Sequence, residues 1–96
     1  MTTHDLKIWP EYFDLVTHRS KEFELRRADR PFAPGDQLRL REYDPKTCSY
    51  TGRVALSRVT SVLSDLPGLQ PGFVAMGVFF LQMETKHTAP VEETEE

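Results

Sequence analysis

Cysteine is nearly absent: Cys48 stands alone among 96 residues. No internal disulfide can form, a CxxC metal pair is excluded, and the expected setting is reducing and cytoplasmic. No run of about 18 apolar residues occurs, which argues against a membrane-spanning helix, and Met1 to Lys7 is too polar to open a signal peptide. A glycine-rich phosphate loop is also missing. His4, His18 and His87 lie in separate segments without ligand spacing, so neither a metal nor a cofactor is expected. What remains is 39% hydrophobic and 28% charged, the composition of a folded domain rather than a disordered chain. No internal repeat or linker divides it, and its length allows one core.

The formal charge of −3 conceals an uneven distribution. Glu92, Glu93, Glu95 and Glu96 crowd the C-terminus, and without them the remainder carries +1. Between Arg19 and Arg41, seven basic residues face four acidic ones. That stretch could meet an anionic partner, although mixed charge is also what a solvated face looks like.

Period-2 alternation in HDLKIW places Leu6 and Ile8 on one face of a first strand. Pro10 suits the first helical position and Glu11 the first turn, so a short helix is expected from Pro10 to about His18, packing through Phe13 with Val16 and Tyr12 with Leu15. In the second strand Phe23 and Leu25 alternate with Glu22, Glu24 and Arg26, and the apolar face should point inward. ADRPFAPGDQ carries a Pro-Gly turn signal. Leu38 and Leu40 then alternate with Arg39 and Arg41 in a strand ending near Glu42 and Tyr43. Asp44 to Gly52 reads as a loop or wide hairpin connection. A long strand follows on Val54, Leu56, Val59 and Val62, with a bulge expected near Ser57 and Arg58. Phe73 to Leu81 is apolar on both faces and should be the most buried strand. The expected domain covers residues 1–83, with 84–96 an acidic, disordered tail. Five or six strands and one helix indicate a mostly β (α+β) fold, a small barrel with the helix closing one end; an α+β sandwich stays open.

The order LKIWPEYFDLV, K-x-x-E-x-R at Lys21, Glu24 and Arg26, ADRPFAPGDQLRLREYDP and YTGR resembles the ASCH group of the PUA-like superfamily. It is most similar to a bacterial and bacteriophage branch of unassigned function. The likeness covers roughly His4 to Val78. It implies a PUA-like β-barrel with a cleft beside the helix, a fold associated with RNA binding. The group commonly has G-x-K-x-x-E-x-R, and Arg19 occupies the glycine position, where a helix often ends in a left-handed conformation. Some relatives resemble amidohydrolases of acetylated cytidine that work with Lys, Thr and Glu. Lys21 matches the lysine, but Glu24 stands at the threonine position and cannot perform threonine chemistry.

Side chains two apart share a strand face, so Glu24 and Arg26 point together, with Lys21 at the strand entrance. If that face looks into a cleft, Glu24 accepts from a base amino group while Lys21, Arg26 and Arg30 neutralise phosphate. A cross-strand ion pair with Arg39 or Arg41 would account for Glu24 without a ligand. Arg41 and Tyr43 complete the candidate binding set; Tyr43 could stack on a base or cover the barrel end. Trp9 more often packs on the core, and Cys48 has no histidine placed beside it. The expectation is an RNA-binding or modified-nucleotide-binding module without catalytic residues. The alternatives are an amidohydrolase using Lys21 and Glu24, and a phage-borne interaction module with a host protein partner.

Overall fold

The computed structural model describes residues 1–84. In chain order the elements are β1 (Thr3–Ile8), α1 (Pro10–Thr17), β2 (Phe23–Arg27), β3 (Gln37–Asp44), β4 (Ser49–Leu63) and β5 (Phe73–Met83). The five strands form one curled, half-barrel sheet in the order β1-β3-β4-β5-β2. β1 runs parallel to β3, and every other pairing is antiparallel. The small, mostly β architecture with one helix is therefore present, but the sheet stays open, with β1 and β2 as its two edges. The expected tail lies outside the described residues, apart from Glu84.

The inner face follows from alternation. His4, Leu6 and Ile8 of β1 are buried, as are Leu38, Leu40 and Glu42 of β3. α1 lies against β3 and β5 and contributes Phe13 and Val16 to the core. Tyr12 and Leu15 point outward instead, because an eight-residue helix on a curved sheet buries only one narrow stripe. Pro34 and Gly35 make the turn before β3: Gly35 has φ of 95°, and Asp36 N–H donates to the Ala33 carbonyl at 3.0 Å, as in a type II turn.

Four expectations change. β2 is inverted: Phe23 and Leu25 are 52% and 55% exposed, whereas Glu24 is only 5% exposed. In β4 the buried residues are Ala55, Ser57 and Val59 rather than Val54 and Leu56: β3 sets its buried Leu40 opposite Ala55 and Leu38 opposite Ser57, and the second register shift against β5, after Val59, then carries the inner phase to the partly buried Val62. β5 buries Val74, Met76 and Val78, while Phe79 on its other face is 37% exposed. Its second apolar face meets no covering layer among the described residues. The hairpin connection read over Asp44 to Gly52 is present but shorter, a turn at residues 45–48 between β3 and β4, with Tyr43 opposite Tyr50 and Asp44 opposite Ser49. Gly77 is required at the second irregularity, where a Cβ would stand 2.5 Å from Thr60 Oγ1.

Arg19 takes the left-handed conformation, with φ of 58°. Ser20 N–H donates to the Leu15 carbonyl and Arg19 N–H to that of Val16, the paired bonds of a Schellman helix end. The geometry that a glycine would supply is thus kept by a charged residue. Its guanidinium donates to the Phe80 carbonyl at 2.8 Å and lies 4.6 Å from the Phe79 ring centre.

Candidate functional site

The helix end delivers Lys21 directly to the start of β2, and alternation then turns Glu24 inward. Lys21 Nζ donates to Glu24 Oε1 at 2.7 Å and to the Phe23 carbonyl at 2.7 Å. Arg26 donates to Glu24 Oε2 through Nε at 3.0 Å and Nη2 at 2.8 Å. Both carboxylate oxygens are therefore engaged, which offsets the cost of burying the charge. Neither Arg39 nor Arg41 supplies these bonds, because β2 pairs with β5 and not with β3. Arg39 instead binds Asp5 and Glu84.

Arg26 Nη2 also donates to the Lys7 carbonyl at 2.8 Å. Since Lys7 belongs to the opposite edge strand, this one guanidinium crosses the open seam of the sheet. A cleft of about 400 Å³ lies there, lined by Lys7, Ile8, Trp9, Tyr12, Lys21, Phe23, Glu24, Leu25 and Arg26. Its polar floor is the Lys21–Glu24–Arg26 cluster, and its walls are largely aromatic and aliphatic. Trp9, 47% exposed, lines the cleft instead of packing on the core. The Trp-Pro junction at the helix start could have pointed to it. Phe23 and Leu25 were masked by the assumption that apolar residues of a strand face inward.

The other candidate residues stand elsewhere. Arg30 lies farther along the β1 edge, donating to the Asp5 carbonyl at 3.4 Å and approaching Asp29 at 3.6 Å. Arg41 and Tyr43 occupy the outer face. Arg41 lies 4.1 Å from the centre of the Tyr50 ring, Tyr50 contacts Tyr43 edge-on at 5.1 Å, and Lys7 Nζ lies 4.2 Å from the centre of the Tyr43 ring. Burial, followed by neighbouring Cys48, pushes the Tyr43 phenol above its ordinary value. Lys7 joins the two groups, with its carbonyl at the seam and its ammonium on the outer aromatic pair.

Two further buried carboxylates belong to the frame. Glu42 accepts from Thr51 Oγ1 at 2.6 Å and from Arg53 Nε and Nη2, both at 2.8 Å. Arg53 holds the Glu42 carboxyl below its ordinary value, with Thr51 adding to the effect. Arg53 also reaches Asp14 and lies over Phe13, tying α1 to β4. The phase Leu38, Leu40, Glu42 was the available signal for this buried acid. At the other end of β3, His4 Nε2 and Asp36 Oδ2 are 2.8 Å apart; Asp36 also accepts the Thr2 and Ala33 N–H groups. Among the described residues, no group of three or more His, Cys, Asp or Glu could hold a metal ion, and no helix is long and apolar enough to cross a membrane.

A family profile described as "Domain of unknown function (DUF3850)" matches residues 3–78. The chain is also similar to an "Uncharacterized 12.9 kDa protein in GpA 3'region" of Escherichia phage P2, with 41% identity over 64 residues. That match covers 65% of this chain and 57% of the phage protein, so it spans little more than half of the relative's length. With the profile running from β1 through the buried part of β5, the chain belongs to the DUF3850 family.

Proposed function

We propose that the seam cleft binds RNA or a modified nucleotide, in a fold of the PUA-like, ASCH type. The observation that carries this reading is the buried Glu24 carboxylate, held between Lys21 and Arg26 at the floor of an aromatic-walled cleft. Trp9, Tyr12 and Phe23 offer ring faces for stacking, worth roughly 1–3 kcal/mol per base. Glu24 provides an acceptor for an exocyclic amino group, and the two cations leave the trio with a net positive charge suited to an anionic ligand. The half-barrel with its helix beside the cleft and the order of the motif segments support the PUA-like assignment.

Trp9 is the only tryptophan, so its fluorescence reports on the cleft directly. Titration with a short single-stranded RNA, a nucleoside monophosphate and acetylated cytidine should quench it, more weakly as salt rises if phosphate contributes. Tyr12→Ala should weaken binding by about tenfold, within the stacking range, at little cost to folding because Tyr12 is 43% exposed. Lys21→Met combined with Glu24→Gln tests the floor and leaves Arg26, which is 26% exposed, its bond to the Lys7 carbonyl. Absence of quenching by all three ligands, or affinities unchanged in both variants, would sink the reading.

A further inference from the structure

The outer face of the β4–β5–β2 half carries an apolar surface that starts at Phe23 and Leu25 on the cleft wall and runs across β5 to Leu63 and Phe79, away from the cleft. Register places Leu25, Ala75 and Leu63 in one row across the three strands and Phe23, Gly77 and Ser61 in the next. Leu25, Leu63 and Phe23 are each about half exposed, and Phe79 continues the surface along β5. Exposed apolar patches of a few hundred Å² or more mark interaction sites on soluble proteins.

Arginines border this patch. Arg27 pairs in register with Phe73 at one end and Arg58 with Phe79 at the other, and Arg19 lies over Phe79. Among the described residues, no carboxylate pairs with Arg19, Arg27 or Arg58. This differs from the inward side, where Arg26 and Arg53 are matched to buried acids. A symmetric pairing of two copies would set the same cations against one another. The central row Leu25, Ala75 and Leu63 is wholly aliphatic, with Phe23 and Phe79 beyond it, and such a row suits the apolar side chains of a protein segment better than a base.

We propose that this face docks an acidic protein segment that presents apolar side chains to the sheet and carboxylates to the bordering arginines. The probe is a fluorescein-labelled peptide of alternating leucine and glutamate, with a leucine–lysine peptide as control. Anisotropy measured on the full chain should show the glutamate peptide binding at least about tenfold more tightly, equivalent to about 1.4 kcal/mol. Ala75→Glu, Leu63→Ser and Arg58→Glu should each weaken it several-fold. Their thermal midpoints should stay near that of the unmodified chain, because these side chains face solvent, and the RNA titration of Trp9 should be unchanged in Leu63→Ser. Failure of the glutamate peptide to bind, equal binding of the lysine peptide, or insensitivity to all three variants would overturn the proposal. So would a loss of RNA affinity in Leu63→Ser, or a dimer in sedimentation equilibrium that this substitution dissolves.

Discussion

Glu24, Arg19 and Ser57 each break a local rule, and their surroundings differ in how well they compensate. Glu24 has both oxygens bonded, so its burial is satisfied. Arg19 occupies a left-handed conformation that disfavours a side chain by about 1–2 kcal/mol, against which stand its bond to the Phe80 carbonyl and its contact with Phe79. Arg19→Ala keeps the backbone penalty and loses both contacts, whereas Arg19→Gly loses the contacts and the penalty together. Urea unfolding should therefore rank Gly above Ala by about 1 kcal/mol; the reverse order would show that the backbone there is unstrained. Ser57 has no such compensation: its hydroxyl is fully buried and finds no hydrogen-bond partner among the described residues. Ser57→Ala should stabilise the protein by about 1 kcal/mol, or several degrees in thermal midpoint for a domain of this size. A lower midpoint would mean that the hydroxyl contributes a bond worth more than its desolvation.

At the level of elements, alternation located β1, β2 and β3 and the Pro-Gly turn, because period 2 and turn chemistry are local properties. Phase is not always local. In β3 the leucines settle it, and the buried pair Leu38 and Leu40 lies where the pattern puts it. In β2 the two apolar residues compete with a carboxylate whose cations come from the same short segment, and the ion cluster takes the inner face. In β4 the inner phase at Ala55 and Ser57 is set by pairing with Leu40 and Leu38 of β3, a register that lies outside the local sequence. The candidate site was legible to the same extent: Lys21, Glu24 and Arg26 share one local face and converge, while Arg30, Arg41 and Tyr43 depended on how the sheet curls. Leu25→Thr against Leu40→Thr checks the inversion directly. The first should change stability by no more than about 0.5 kcal/mol, as exposed substitutions do, and the second should cost about 2 kcal/mol or more, as in other cores. Comparable losses in equilibrium unfolding would mean that β2 turns its apolar side inward.

Across the whole molecule, β3 acts as a spine: Asp36 just before it and Leu38, Leu40 and Glu42 along its inner face are all buried. Each end carries a carboxylate that fastens a different part of the chain. Asp36 holds His4, the Thr2 N–H and the turn after Ala33; Glu42 holds Arg53, which reaches α1 through Asp14. Both acids sit below their ordinary values of 3.8 and 4.5, Asp36 chiefly through its His4 bond and Glu42 chiefly through Arg53. A depressed folded value means that the unfolded chain binds protons first as the solution is acidified. The contribution of each carboxylate is complete above its ordinary value and is lost as pH falls through the folded one, so stability should drop steeply below about pH 4.5. Asp36→Asn and Glu42→Gln should each lower the thermal midpoint at pH 7 and flatten part of that acid limb. The two residues are six positions apart along an extended strand, roughly 20 Å, and share no partner, so their effects should add. Thermal midpoints of the double variant across pH 3 to 7 provide the check: its loss at neutral pH should equal the two single losses. A smaller loss would show that the strand couples its ends and that the half-barrel responds to acid as one unit.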